Sequence, residues 1–238
     1  GSVGTVAFFD GEGTRLKTTY LARMPEVGKA TLAAALEAEM MAVVGERPEI
    51  NICFASDGAA PQWTVLEEMR ARLPADATGH RMMLVDAFHV AEYVQLATNA
   101  IEGEHTSSAK VLAATWRETI REVPGGVPRV LQAMRRRKAG LTKTKRKDLS
   151  RAIAYIKNQH AKGRMDYPDA ESRNYPIGTG ITEAAAKTVV GTRMKRAGAR
   201  FSQHGGQTVM LFRTAVLSER FDALHQELHA TYTASVAA

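Results

Sequence analysis

Apolar and polar positions alternate or cluster with a changing period along the first hundred residues. Residues 3–10 and 15–24 read as two strands joined by the turn Gly11-Glu12-Gly13, with Pro25 closing the second. From 29 to 44 the apolar side chains Leu32, Leu36, Met40 and Val43 fall on one face, which predicts a helix, and residues 45–48 break it. Ile50, Ile52, Cys53, Phe54 and Ala55 form a nearly continuous apolar run ending in Ser56-Asp57-Gly58, the pattern of a strand covered on both faces. Trp63, Leu66, Met69 and Leu73 mark a helix ending near Pro74; residues 82–85 are a second short apolar run, ending at Asp86. From Phe88 onward Val90, Tyr93, Val94, Ala97 and Ile101 line one side of another helix.

The two short runs and the helix between them form a β-α-β unit. Strands joined in that way are parallel and their crossover right-handed when they share a sheet, so their carboxyl ends lie on one edge. Asp57 and Asp86 both sit at those ends, where open α/β sheets place their sites. Residues 105–165 are helical in pattern, with one break at Pro124-Gly125-Gly126-Val127-Pro128. Tyr167-Pro168 and a loop to Pro176 follow; 181–195 reads as helix, and 207–217 as helix with a strand left open by Thr208, Val209 and Val216.

Charge sharpens this outline. Residues 1–90 carry 8 Lys/Arg against 12 Asp/Glu, and residues 133–238 carry 20 against 8, within a total of +7. A basic second part joined to a mildly acidic first part points to an anionic polymer, nucleic acid before any other, as partner. The 238 residues, 45% hydrophobic and 24% charged, suit one or two soluble globular domains rather than a disordered chain. No apolar run approaches the ~20 residues of a membrane span, and the N-terminus lacks a signal-peptide layout. The single Cys53 excludes intrachain disulfides and all-cysteine zinc sites, and fits a reducing interior. No repeat is visible.

Three groups carry candidate chemistry. Asp57, Asp86 and Glu183 are carboxylates of the kind that hold hard divalent cations such as Mg²⁺ or Mn²⁺, which activate water or a 3′ hydroxyl in phosphodiester transfer. Each has a plainer alternative: Asp57 as a turn residue, Asp86 as a helix N-cap, Glu183 as an exposed acid paired with Lys187 at i,i+4. Ile177-Gly178-Thr179-Gly180-Ile181-Thr182-Glu183 places two glycines before a helix, where backbone can approach a phosphate, although it lacks P-loop spacing. The third group is basic. Arg135, Arg136, Arg137, Lys138, Lys143, Lys145, Arg146 and Lys147 are one dense cluster; Arg193, Lys195, Arg196 and Arg200, followed by Phe201, are a second. Such side chains track a phosphate backbone, or simply solvate a surface. His89, three residues after Asp86, reads as a buttress of the strand-end region, and no His/Cys cluster has zinc spacing.

Five segments occur in an order and spacing that resemble a known family: Tyr20-Leu21-Ala22-Arg23-Met24-Pro25-Glu26, Ser56-Asp57-Gly58-Ala59, Val85-Asp86-Ala87-Phe88-His89, Pro176-Ile177-Gly178-Thr179-Gly180-Ile181-Thr182-Glu183, and Arg193-Met194-Lys195-Arg196-Ala197-Gly198-Ala199-Arg200-Phe201. They are similar to motifs of the ISKra-type transposases of bacterial insertion sequences, and the likeness runs from about residue 3 to 222. Each motif alone is weak; the five in order are a strong signal. The resemblance implies an α/β fold, the RNase H-like mixed sheet flanked by helices, with a helical insertion before the last catalytic helix. It implies a first core part over 1–94, a basic insertion over 95–170 and closing helices over 171–238.

The resemblance also implies a DDE-type enzyme performing metal-dependent phosphodiester hydrolysis and strand transfer at transposon ends. Asp57 stands for the second acid and Glu183 for the closing acid, both as ligands of Mg²⁺ or Mn²⁺. Asp86-Ala87-Phe88-His89 resembles the Asp/Cys-x-x-His signature of related transposases, which supports the site's architecture. Arg135, Arg136, Arg137, Lys138, Lys143, Lys145, Arg146, Lys147, Lys187, Arg193, Lys195, Arg196 and Arg200 would contact DNA, and a homo-oligomer, at least a dimer, would pair two ends in the bacterial cytoplasm, associated with the nucleoid. Thr179 and Phe201 depart mildly from the family's usual Ser and Trp. The family's first catalytic Asp lies on a strand ahead of the 4–10 strand, where this chain has three residues; Asp10 could be proposed as a replacement, but it sits at a strand end next to a tight turn. The alternative is therefore a truncated or repurposed transposase that binds DNA without cutting. An RNA-directed nuclease on the same fold is a third, weaker reading.

Overall fold

The computed structural model describes residues 1–26, 29–195 and 197–236. Over these described residues it is mixed α/β, mostly helical, with two small sheets. It divides into two compact units, Gly1–Pro48 with Leu73–Ala77 and Gly180–Ala238, and Glu49–Arg72 with Thr78–Thr179. Among the described residues no helix is long and apolar enough to cross a membrane.

In the first unit β1 (Ser2–Phe9) and β2 (Arg15–Arg23) form an antiparallel hairpin, pairing Val3 with Ala22 and Thr5 with Tyr20. The sequence places both strands within a residue or so of these ends, because the Gly11–Gly13 turn and Pro25 punctuate them. Helix α1 (Ala30–Glu46) lies against the hairpin. Its Leu36 comes so close to Gly4 that a Cβ there would stand 2.7 Å from a Leu36 methyl, so glycine is what lets the helix seat. The unit is completed by α8 (Gly180–Ala185), a π-helical segment (Ala186–Gly191), α9 (Thr192–Met194), α10 (Gln203–Leu217) and α11 (Phe221–Val236).

Ala22, Val189 and Met210 are its buried apolar centre, with Val3, Met24 and Met194 packed around them. Polar ties fix α10 to β2: the Met24 N–H donates to Gln207 Oε1 at 2.9 Å, and the Tyr20 N–H to Ser218 Oγ at 2.9 Å. Such bonds satisfy strand-edge donors that a lone hairpin would leave to water.

The second unit is built on β3 (Ile52–Ser56) and β4 (Arg81–Val85), parallel, joined through α2 (Ala60–Ala71). The expected β-α-β unit is present. Met82, Met83, Leu84 and Val85 are buried in succession, so β4 is covered on both faces, while in β3 only Phe54 and Ser56 are buried. Helices α3 (Ala87–Glu102), α4 (Ser107–Glu122), α5 (Gly126–Arg136), α6 (Lys143–Ala161) and α7 (Tyr167–Ser172) follow, with α3 packed between α4 and α6. Val94, Ala97, Ala109, Ala113, Met134, Leu149, Ala152 and Ile156 fill that bundle.

Three expectations need correction. The break at 124–128 is shorter than its glycines and prolines suggest: Gly125 takes a left-handed φ of 71°, and α5 already begins at Gly126 with Pro128 in its first turn, where a proline costs no hydrogen bond. The loop expected after Tyr167-Pro168, up to Pro176, is helical in its first part: α7 (Tyr167–Ser172) has Asp166 as its N-cap and Pro168 in the first turn. The helix over 181–195 is interrupted by the π-helical segment, and α11 has no counterpart in the pattern reading.

Candidate functional site

The carboxyl ends of β3 and β4 place Asp57 and Asp86 on one edge. Ser56 pairs with Val85 in the parallel register, and the Asp86 N–H donates to the Ser56 carbonyl at 2.9 Å, so each acid is the first residue beyond its strand. Their environments differ sharply.

Asp86 is buried, with 3% of its surface exposed, and caps α3. Its Oδ1 accepts the Phe88 N–H at 2.7 Å and the His89 N–H at 3.4 Å; its Oδ2 accepts the Thr179 N–H at 2.8 Å and also the Thr179 hydroxyl. Four donors on one carboxylate compensate its desolvation and fix it in place. Gly178 lies against the Phe88 ring, 3.0 Å from where a Cβ would be. The Gly178-Thr179 backbone that the sequence offers to a phosphate is thus closed on the protein's own anion.

Asp57 is exposed. Its Oδ1 accepts the Ala59 N–H at 3.1 Å and faces the Ser56 hydroxyl at 3.5 Å. These bonds hold the turn and leave the carboxylate open to solvent. The turn rests on α6. Tyr155 Oη donates to the Asp57 carbonyl at 3.3 Å, and Gly58, at φ 98°, sits so close that a Cβ would stand 2.3 Å from that oxygen. The Tyr155 ring stacks on Tyr93 at 3.7 Å and 7°, and His89 packs edge-on against both. His89 Nδ1 also meets Glu92 at 3.1 Å. Burial, then the neighbouring Tyr93 and the carboxylates Asp57, Asp86 and Glu92, push the Tyr155 phenol well up, so it remains a donor.

Behind the strands, Tyr167 Oη donates to the Val85 carbonyl at 2.9 Å, and burial raises that phenol too. Arg164 is almost wholly buried over the Trp63 ring at 4.0 Å, bonded to Glu67 and to Gln159 Oε1 at 3.2 Å, and its own carbonyl accepts the Val85 N–H at 2.8 Å. Sequence reasoning missed Tyr93, Tyr155, Arg164 and Tyr167 as parts of this region. The one signal for Tyr155 is its place on α6 beside the buried Ala152 and Ile156, with Gln159 four residues on.

The other sequence-predicted residues fall as follows. Glu183 is exposed on α8 in the first unit, next to Thr182, whose hydroxyl meets Thr5 Oγ1 at 2.7 Å. Asp10 is committed to the β1–β2 turn: its Oδ1 accepts the Glu12 N–H at 3.0 Å and the Thr14 N–H at 2.8 Å. Arg135, Arg136, Arg137, Lys138, Lys143, Lys145, Arg146 and Lys147 are all exposed, on the end of α5, the connection and the start of α6. Arg137 lies over the Trp116 ring at 5.6 Å and meets Glu102 at 3.6 Å, and Arg146 donates to the Leu141 carbonyl at 3.2 Å. In the first unit Lys187, Arg193, Lys195 and Arg200 are exposed, and Arg196 lies outside the described residues.

As oxygen donors for a hard cation, these acids are unequal. The open Asp57 carboxylate at a strand end fits such a ligand, and the exposed Glu183 is free to serve. Asp86 does not fit, because both oxygens are taken by protein donors. Among the described residues no three His, Cys, Asp or Glu side chains gather into a metal-binding group. No family model, curated protein or solved structure matches the chain.

Proposed function

We propose that the chain is the catalytic part of a DDE-type DNA transposase with an RNase H-like core, acting on phosphodiester bonds at transposon ends. One observation carries the reading. On two parallel strands ending at one edge, Asp57 presents an exposed carboxylate while the neighbouring Asp86 is spent on architecture. That division of labour is what the resemblance implies for the two positions. The strand pairing adds support: β1 with β2 antiparallel and β3 with β4 parallel are pairs that an RNase H-like sheet contains apart from those of its first strand.

Asp57 and Glu183 would hold Mg²⁺ or Mn²⁺, which when bound activates the attacking water or 3′ hydroxyl and stabilises the leaving oxygen. The protein's own contribution is positional. Tyr155 and Gly58 hold the Asp57 turn, the Asp86–Thr179 bonds hold the loop that leads towards Glu183 in sequence, and the exposed cations over 135–147 bind the DNA backbone. The homo-oligomer that pairs two ends and the location at the bacterial nucleoid belong to the same proposal.

The second reading, a DNA-binding module that does not cut, is favoured by the commitment of Asp10 to its own turn and of Asp86 to its cap, which leaves two open acids among those singled out. A nicking assay on supercoiled DNA with Mn²⁺ separates the two. Cutting by the parent protein that is lost in both Asp57→Ala and Glu183→Ala supports the enzyme. DNA binding without cutting supports the module, and cutting that survives Asp57→Ala sinks the catalytic assignment. Affinity for RNA above that for DNA at fixed salt would favour the RNA-directed nuclease.

A further inference from the structure

Arg151 belongs to neither basic cluster of the sequence, yet its place on α6 carries it to the Asp57 turn. Lys143, Lys147, Arg151 and Tyr155 follow one another on that helix at four-residue steps. Each step rises about 6 Å and turns about 40°, so the four form one winding row about 18 Å long. The helix buries Leu149, Ala152, Ile156 and Gln159. Lys143 and Lys147 stand nearly opposite that face, and the winding brings Arg151 and then Tyr155 round to its border. There Tyr155 Oη donates to the Asp57 carbonyl at 3.3 Å. A row of three exposed cations thus ends one helical turn short of the residue that holds the candidate metal ligand.

Arg151 is exposed, yet it is seated. Its guanidinium lies over the Tyr93 ring, 5.8 Å from the centroid, and that ring is stacked on Tyr155 at 3.7 Å. A ring holds a guanidinium through its face and takes none of its five N–H donors. Among the described residues neither Arg151 nor the two lysines forms an ion pair; Glu92, beside Tyr93 in sequence, meets His89 instead at 3.1 Å. A planar cation held in place with its donors open suits an anion with paired oxygens, as a phosphodiester is.

We propose that Arg151 is the phosphate clamp of this site. Its guanidinium binds a backbone phosphate of the DNA strand that passes over the Asp57 turn, and Lys147 and Lys143 carry that strand on along α6. The inference rests on the reading of Asp57 as the metal-binding acid of a DNA enzyme and adds the residue that sets the strand against it. Tyr93 and Tyr155 are positioning residues: one stacked pair seats the clamp and holds the Asp57 turn, so a shift of either ring moves both.

Binding of the full chain to a short labelled duplex of arbitrary sequence, read by fluorescence anisotropy over a salt series, tests this. Arg151→Gln lowers the slope of log affinity against log salt by about 0.9, the value of one phosphate. Lys110→Gln, exposed on α4 and outside the row, leaves it unchanged. Arg151→Lys keeps the slope but weakens binding at least about threefold, because an ammonium has neither the fork nor the flat face. Tyr93→Leu weakens binding in the parent and has no further effect in Arg151→Gln, a coupling that a merely solvated cation would not give. Folding is checked by circular dichroism.

A slope unchanged in Arg151→Gln overturns the proposal. So do additive effects of Tyr93→Leu and Arg151→Gln, or a parent without affinity for DNA. Failure of the catalytic reading looks different: the parent binds with the full Arg151 dependence and does not nick.

Discussion

Thr179 donates both its N–H and its hydroxyl to Asp86 Oδ2, the N–H at 2.8 Å. The other oxygen of the same carboxylate caps α3. One buried side chain therefore joins the end of β4, the start of α3 and the glycine loop, across 93 residues of sequence.

Removing it should be costly. Asp86→Ala loses the cap and leaves two donors of Thr179 unpaired, a destabilisation of about 2–4 kcal/mol. Thermal unfolding should shift down by roughly 6–12 °C. Thr179→Ser keeps both donors and should be nearly neutral, whereas Thr179→Ala loses the hydroxyl alone and should cost about 1 kcal/mol. Equal melting of Asp86→Ala and the parent would show that the carboxylate is not holding this junction.

Gly58 and Tyr155 should behave as a coupled pair. Gly58→Ala places a Cβ at φ 98° and 2.3 Å from Tyr155 Oη, and should destabilise by about 1–3 kcal/mol. Tyr155→Phe loses one hydrogen bond to the Asp57 carbonyl and should cost about 1 kcal/mol. In the double variant the oxygen nearest the new methyl is gone, so the two costs should sum to less than additive in denaturant titrations. Strict additivity would mean the turn moves away from α6.

Cys53 should be slow to react while the protein is folded. Burial pushes its thiol up to about 12, so little thiolate exists near neutrality. Iodoacetamide at pH 8 should label this single, half-buried cysteine more slowly in the folded protein than in the unfolded chain. The folded thiol holds its proton more tightly than the unfolded one, whose ordinary value is about 8.5. Its contribution to stability is therefore complete below about 8.5 and is lost as pH rises from there through about 12. Cys53→Ala should flatten the alkaline fall in stability between those limits, measured by denaturant titration at stepped pH.

The basic connection between α5 and α6 should show itself in salt dependence. Replacing Arg135, Arg136 and Lys138 by Gln, all exposed, should leave the melting temperature unchanged. It should lower the slope of log affinity for DNA against log salt by about 0.9 for each phosphate that is no longer neutralised. The same treatment of Lys143, Lys145 and Lys147 at the start of α6 reads the other side of the connection. An unchanged slope in both sets would place the DNA-binding cations elsewhere.

Elements whose period is written in consecutive residues are legible from the order of amino acids alone. Strands β1 to β4 and helices α1 to α3 stand close to where Gly11–Gly13, Pro25, the run at 52–55 and the spacing Val90, Val94, Ala97 place them. The parallel direction of β3 and β4 also follows from the helix between them, because a crossover of that length leaves the chain no short return. At the strand ends the sequence singles out Asp57 and Asp86 and leaves each two roles.

Those roles separate only on folding. What decides them is the set of donors around each carboxylate, and for Asp86 two of the four come from Thr179, distant in sequence and invisible to any local period. The support of Asp57 by Tyr155 is hidden for the same reason: one hydroxyl on a helix face packs against a turn 98 residues earlier. Glycine and proline at 125–128 read as a break in sequence, yet they open a helix, since a left-handed φ or a missing N–H is harmless before the first intrahelical bond. The row Lys143, Lys147, Arg151 is local in sequence, but the Tyr93 ring that seats its last member comes from α3, and only the packing of α3 on α6 brings it there.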